Sequence, residues 1–372
     1  MKKIESLYIH FPFCKHLCNY CDFYKKVSNA REQDLEAFHS YLQSSYEAHE
    51  KLMKENGYSW GPLKTLYLGG GTPSLWGMEG KNFIEKFFEK NNIQLDQDCE
   101  FTMEVNPGGW EEDILNSWEK IGVNRYSLGI QSLNPSLSKY LDRVHSISDV
   151  YDTLNFFSKK KANYSVDFML GLPFSEQENR DVVQELNEVL KYSPQHFSVY
   201  ILTVKDNYPH FAKLPGDEVI ESEYLKVSNF LQNHGFSHYE VSNFALPEKE
   251  SRHNLRYWHS MTVGALGPSA TGFMREAKLR YKWKPNSPVP ELEKLTNEEF
   301  ALEEIYMCIR SSAGLPIKYF KEEAHKFEAI YESWVMRDLA KVDQRQHVIL
   351  TAKGYLILDS LIGELFTAKL IK

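Results

Sequence analysis

Six short strand-like runs, each followed by a helical stretch, limit what this chain can fold into. The runs are 4–10, 63–68, 99–105, 125–130, 164–169 and 196–201, and the helical stretches cover 32–55, 79–90, 111–120, 147–161, 176–191 and 217–234. Strand–helix–strand repeats build parallel sheets, because a parallel neighbour is reached only by a crossover. Right-handed crossovers then curl the sheet into a barrel or part of one, and ligands gather at the C-terminal ends of its strands. The expected architecture is therefore α/β, a partial (β/α)6 barrel.

The strand ends carry a concentrated polar and glycine inventory. In order they present Cys14/Cys18/Cys21, Gly69-Gly70-Gly71-Thr72, Glu104-Val105-Asn106-Pro107-Gly108, Gly129-Ile130-Gln131-Ser132, Asp167 with Gly171-Leu172-Pro173, and Tyr200-Ile201-Leu202-Thr203. Each has a plain structural reading: glycines as turn residues, Glu104 and Asp167 as helix N-terminal carboxylates, Gln131 as a surface amide, Arg143 as a solvated helix-start arginine. All of them sharing one rim with three thiols is a stronger pattern than any one alone. Three glycines in a row let a backbone approach a ligand with no Cβ in the way. Glu104 is suited to an ammonium, Gln131 and Asp167 to ribose hydroxyls, and Arg143 to a carboxylate.

The thiols stand as Cys14-x-x-x-Cys18-x-x-Cys21. That spacing brings three sulfurs to one inorganic centre with little loop to order. A four-iron, four-sulfur cluster on three thiolates keeps one iron open, whereas a zinc site borrowing His10 or His16 would be closed. Reduced thiols packed as small apolar groups are the third reading, and it is the one expected for Cys99 and Cys308. Five cysteines, odd in number and three of them clustered, fit a reducing cytoplasm better than a disulfide framework.

The Cys spacing resembles the signature of the radical S-adenosylmethionine (SAM) superfamily, in which the open iron chelates the amino and carboxylate groups of SAM. The resemblance narrows with Tyr8-x-His10-Phe11-Pro12-Phe13-Cys14, Gly69-Gly70-Gly71-Thr72-Pro73-Ser74, Gly129-Ile130-Gln131-Ser132, and Asp167 ahead of Gly171-Leu172-Pro173. Together these look like the oxygen-independent coproporphyrinogen III dehydrogenase (HemN) group, over nearly the whole chain. The resemblance implies that Cys14, Cys18 and Cys21 ligate the cluster and that Tyr8, Gly70 and Glu104 serve its SAM. It further implies that Tyr20, Gly71, Thr72, Gln131, Arg143 and Asp167 match a second SAM position, with Thr203 counted among the cofactor residues.

Two departures point within that group to the HemW-type haem chaperones. Phe23 stands where the dehydrogenase motif has a further Cys, and only thirteen residues precede Cys14. His253-Asn254-Leu255-Arg256-Tyr257-Trp258 resembles the HNxxYW haem motif of that type, implying His253 as a metal ligand and Asn254, Tyr257 and Trp258 as haem contacts. The bland alternative is a buried turn with a capping His and two core aromatics. The implied cofactors are the cluster, SAM and haem. The implied partner is a haem-acceptor protein, with a membrane-associated acceptor as one case. The alternative function is the radical oxidative decarboxylation of coproporphyrinogen III in porphyrin biosynthesis. A radical SAM methyltransferase is disfavoured by the want of an extra Cys pair.

A net charge of −8 argues against a nucleic-acid partner. No signal peptide or bilayer-spanning run is indicated, so a cytoplasmic protein not integral to a membrane is expected. The expected domains are a core barrel over 1–236, an extension with the HNxxYW motif and a Pro-rich connector (278–297) over 237–297, and a mainly helical, winged-helix-like unit over 298–372.

Overall fold

The computed structural model describes residues 1–28, 31–205 and 207–371. Its strands β1 (Lys2–Phe11), β2 (Tyr58–Gly70), β3 (Leu95–Val105), β4 (Arg125–Gln131), β5 (Tyr164–Leu170) and β6 (His196–Ile201) contain the six expected runs. They lie side by side in chain order, each parallel to the next. The connections carry α1 (Arg31–Glu55), α2 (Gly77–Lys90), α3 (Glu112–Glu119), α4 (Pro135–Tyr140), α5 (Ile147–Lys159) and α6 (Val182–Leu190), and α7 (Asp217–Asn233) follows β6.

Two helices depart from expectation for local reasons. α6 begins at Val182 rather than near 176, because the Asp181 carboxylate accepts from the Val183 and Gln184 N–H groups (3.0 and 3.1 Å) and caps the helix there. α4 was not foreseen, although Asn134-Pro135 is an N-cap followed by a first-turn proline. The Asn134 side chain accepts from Ser136 and Leu137 N–H (2.9 and 3.2 Å).

The parallel strands are not uniformly apolar. One face carries Leu7 and Ile9, Leu66 and Leu68, Phe101 and Met103, Leu128 and Ile130, Val166 and Phe168, Phe197 and Val199, all at most 1% exposed. Alternate positions carry Tyr8 and His10, Thr65 and Tyr67, Glu100, Thr102 and Glu104, Arg125 and Ser127, Ser165 and Asp167, His196 and Ser198. Side chains in a strand alternate faces, so the apolar set packs under the helices and the polar set lines the inside of the curved sheet. The polar set is cross-linked: Ser127 donates to Asp167 (3.0 Å), and Ser165 bonds His196 Nδ1 (2.7 Å) and Ser198 (3.2 Å).

Residues 237–297 reach both edges of this sheet. β7 (Ser237–Glu240) and β8 (Asn243–Ala245) form an antiparallel pair beyond β6, while β9 (Gly264–Leu266) lies parallel to β1 at the opposite edge. The nine strands run β9-β1-β2-β3-β4-β5-β6-β8-β7. Between the two edges lies α8 (Arg252–Trp258), the HNxxYW segment. The expected connector over 278–297 is corrected: β11 (Leu279–Trp283) pairs antiparallel with β10 (Thr271–Met274) on one side and with β12 (Pro290–Lys294) on the other. Leu279, Tyr281 and Trp283 are buried at alternate positions, which is why this segment holds as a strand.

The C-terminal unit follows as α9 (Asn297–Ile309), β13 (Leu315–Pro316), α10 (Ala324–Met336), β14 (Ala340–Val342), β15 (His347–Leu350), α11 (Ala352–Leu356) and α12 (Leu358–Thr367). Its antiparallel sheet has β15 at the centre. This helix–strand–helix–strand–strand order is that of a winged-helix-like unit.

Candidate functional site

The cysteine loop leaves β1 at the C-terminal mouth of the sheet. Its ends are pinned: Phe13–Cys14 pairs with Lys26–Val27, Lys26 N–H donates to the Pro12 carbonyl (2.7 Å), and Thr72 N–H donates to the Phe13 carbonyl (2.9 Å). Between them Asn19 Nδ2 reaches the Tyr140 carbonyl (3.4 Å) and Lys25 Nζ the Cys21 carbonyl. All three thiols are half-buried. Burial pushes the Cys14 and Cys18 thiols up, opposed at Cys14 by a hydrogen bond with Thr72 and at Cys18 by the Arg143 guanidinium.

The zinc reading finds no free nitrogen at His10. His10 Nε2 donates to the Tyr24 carbonyl (2.8 Å), so its Nδ1 accepts from the Tyr8 hydroxyl (3.0 Å), and both ring nitrogens are spent. His16 Nε2 lies 2.8 Å from Asp142 Oδ2. Among the described residues no group of three His, Cys, Asp or Glu side chains, the three thiols included, is drawn together around a common point. Three thiols around a larger inorganic centre with one open position fit this donor set better.

Arg143 joins the loop to the mouth. Its Nη2 donates to Asn106 Oδ1 (2.8 Å) and to the Gly129 carbonyl (2.6 Å), and its Nη1 lies 3.4 Å from the Tyr20 hydroxyl and 4.0 Å from Cys18 Sγ. Asn106 passes the link on, its Nδ2 donating to Thr72 Oγ1 (2.9 Å). A Cβ on Gly129 would stand 2.7 Å from Asn106 Oδ1, so only glycine lets this network close over β4. The buried Nε of Arg143 has no partner among the described residues, which leaves a donor for a carboxylate beside the thiols. The helix-start reading of Arg143 is thereby replaced.

Glu104 sits deeper. Its Oε1 accepts from the Tyr67 hydroxyl (3.0 Å) and its Oε2 from Gly70 N–H (3.0 Å). Burial first, then the Asp167 charge, push its carboxyl up to about 8, against the bonds from Gly70 and Tyr67. Burial likewise pushes Asp167 up to about 6, against hydrogen bonds from Ser198, Ser127 and Ser165 and the charge of Arg125. Gln131 is 9% exposed with φ of +71°, a region few non-glycine residues occupy, at the irregular end of β4.

The glycine run is required by the chain's own packing. A Cβ on Gly70 (φ +116°) would meet the His10 ring at 2.6 Å, and one on Gly71 the Phe13 carbonyl at 2.6 Å. Their N–H groups already donate to Glu104 and to the Phe11 carbonyl (2.7 Å).

Among the expected residues, Tyr8, Tyr20, Gly70, Gly71, Thr72, Glu104, Gln131, Arg143 and Asp167 lie at the mouth or just below it. Thr203 is exposed, its hydroxyl returned to the Ile201 carbonyl (3.5 Å). The HNxxYW residues divide: Tyr257 and Trp258 are half-buried, with the Arg310 guanidinium 5.2 Å from the Trp258 ring, and Asn254 N–H caps on Ser251 Oγ (3.3 Å). His253 is 1% exposed inside the sheet, as in the buried-turn alternative. Its ring is 5.3 Å from Tyr67, with Nδ1 2.9 Å from the Thr65 hydroxyl and Nε2 3.4 Å from that of Tyr257. Burial, with Arg256 and Arg125 nearby, lowers its pKa to about 3, which keeps the ring neutral.

Tyr67 and Asn106 were not singled out from the sequence. Tyr67 falls in Thr65-Leu66-Tyr67-Leu68, where alternation of polar and apolar residues in a strand flanked by others is itself the sign of a polar interior.

Known proteins resemble this chain in sequence and in fold. A family model of the radical SAM superfamily matches residues 8–186. The chain is 31% identical to "Heme chaperone HemW" of Synechocystis sp. over 83% of its length and 79% of the relative, and 29% identical to "Heme chaperone HemW" of Lactococcus lactis subsp. lactis over 95% of each. Among solved structures, coproporphyrinogen III oxidase (HemN) from Escherichia coli superposes with a TM-score of 0.75 at 20% identity. That superposition covers 98% of this chain and 90% of the other, a likeness of fold.

Proposed function

Because the chain belongs to the HemW family of the radical SAM superfamily, whose cofactors are a four-iron, four-sulfur cluster and SAM, we propose that it is a haem chaperone that binds haem and delivers it to an acceptor protein. The observation that carries this reading is the full-length likeness to proteins named as haem chaperones, joined to a three-thiol mouth with no further thiol beside it. Phe23, at the position of the extra dehydrogenase cysteine, is 68% exposed.

Cys14, Cys18 and Cys21 hold the cluster in this reading, on a loop whose ends are pinned by Thr72 and Lys26. When bound, the cluster supplies a one-electron donor and an open iron for the amino and carboxylate groups of SAM. Glu104 accepts from the N–H groups of the amino group, Arg143 offers its free Nε to a carboxylate, and Gln131 and Asp167 meet ribose hydroxyls. Tyr8, Tyr20, Gly70, Gly71 and Thr72 shape the walls, and Thr203 closes the rim.

Haem is assigned to α8. Tyr257 and Trp258 offer half-buried rings for a porphyrin face, beside Asn254. His253 serves as the iron ligand only if α8 withdraws, since both its nitrogens are engaged in the present arrangement. The acceptor, soluble or membrane-associated, meets the protein in the cytoplasm, where three free thiols persist. Among the described residues no helix is long and apolar enough to cross a membrane.

The test is to incubate anaerobically reconstituted protein separately with haem, and with coproporphyrinogen III plus SAM and a reductant. Haem uptake near one per chain with no decarboxylated product is expected. Turnover of coproporphyrinogen III would replace the chaperone reading with the dehydrogenase.

A further inference from the structure

The HNxxYW helix enters the fold from below the SAM site. Three contacts fix its first turn: Arg252 and His253 N–H groups donate to the two oxygens of Glu100 (3.0 and 2.9 Å), and Ser251 N–H donates to the Tyr239 hydroxyl (3.1 Å). Arg252 Nη1 adds a bond to the Asp98 carbonyl (2.6 Å). Glu100 is on the same inward face of β3 as Glu104, so the helix is fastened to the strand that carries the mouth carboxylate.

The fastening drives the His253 ring up against the underside of two tyrosines. It stands 5.3 Å from the Tyr67 ring and 6.5 Å from Tyr8, while Tyr8 and Tyr67 are themselves 6.1 Å apart. Tyr67 then donates to Glu104 Oε1, and Gly70 N–H completes the pair on Oε2. From α8 to the mouth there is one ring, one phenol and one carboxylate.

We propose that His253 is a positioning residue of the SAM site, a floor that holds the Tyr67 phenol under Glu104. Without the imidazole, Tyr67 has an empty volume beside it into which its ring can swing, and buried side chains settle into such space only by leaving their rotamer. Glu104 then keeps one of its two donors and no longer points in one direction. The packing of the ring does this work, and the bonds to Thr65 and Tyr257 hold the ring in register.

This rests on the SAM reading above, and the experiment separates the two. SAM affinity of the anaerobically reconstituted full chain is measured by calorimetry for wild type, Glu104→Gln, Tyr67→Phe, His253→Ala, His253→Phe and the Tyr67→Phe/His253→Ala double variant, with cluster absorbance and melting midpoint followed alongside. Glu104→Gln is expected to weaken binding about ten- to a hundredfold, and His253→Ala and Tyr67→Phe by roughly five- to tenfold each. The double variant should be no weaker than Tyr67→Phe alone, as coupled neighbours require. His253→Phe, which refills the space, should recover most of the affinity and serves as the folded comparison where the Ala variant loses its cluster. Wild-type affinity in His253→Ala, additive losses in the double variant, or a Phe variant as weak as Ala would each overturn the positioning role while leaving the SAM site standing. Wild-type affinity in Glu104→Gln would remove the SAM reading and this inference with it.

Discussion

Glu104 is a carboxyl held at about 8 in a site assigned to a cation, and this makes its proton measurable. A folded value above the unfolded one means that stability from this group is full below about pH 4.5 and is lost as pH rises to about 8, because the folded chain binds the extra proton across that window. In the absence of SAM, the melting midpoint of wild type should fall across that window by more than that of Glu104→Gln, the remainder coming from groups such as Asp167. An equal pH slope in the two proteins would show that Glu104 ionises as an exposed carboxylate does. The amino group that meets the open iron gives up its ammonium proton whatever stands at position 104, and its N–H groups favour ionised Glu104, so at pH 7 SAM binding should release close to one proton more from wild type than from Glu104→Gln. Calorimetry in buffers of different ionisation enthalpy reads this directly, and equal proton release in the two proteins would contradict it. Asn106 offers a second residue-level test. It bridges Thr72 to Arg143, so Asn106→Ala should weaken SAM binding by about tenfold through the loss of one charge-assisted bond, whereas unchanged affinity would make the bridge structural.

Among the elements, α8 is the one whose role the sequence least foretold. The six parallel strands were legible because apolar runs, glycine turns and helical spacing are local signals, and the strand-end residues followed from one rule about parallel sheets. Where His253 goes is settled by Glu100, far away in the chain on another strand, and local pattern holds no trace of that. The misread connector is a different failure: Pro285, Pro288 and Pro290 outweighed the alternation of Leu279, Tyr281 and Trp283, though proline at the start of an edge strand does no harm. α8 is fastened by two N–H bonds to one buried carboxylate, so Glu100→Ala should lower the stability of the fold by about 3 kcal/mol in denaturant unfolding, a loss within 0.5 kcal/mol showing the helix to be held elsewhere. Since His253 cannot both brace Tyr67 and ligate iron, haem bound through it should weaken SAM binding, and SAM should weaken haem binding by the same factor. Independent affinities for the two, measured each in the presence of the other, would place the haem ligand outside α8.

Taken as one molecule, the chain is a curved sheet with an apolar outer face, a polar inner face, a thiol loop at the mouth and a helix beneath it. The mouth is where the account is most exposed, because SAM chelation, the role of Glu104 and the coupling to α8 all presuppose one cluster with an open iron on Cys14, Cys18 and Cys21. Cys99 is buried within β3, among the outward-facing apolar positions, and Cys308 lies in α9, so neither can stand in for a missing ligand. The direct measurement is the electron paramagnetic resonance spectrum of the reduced, reconstituted protein before and after SAM is added. The account predicts a four-iron cluster signal that SAM shifts, kept in the Cys99→Ala and Cys308→Ala variants and lost when any of Cys14, Cys18 or Cys21 is replaced. A signal indifferent to SAM, or one that survives the loss of a mouth cysteine, would contradict it.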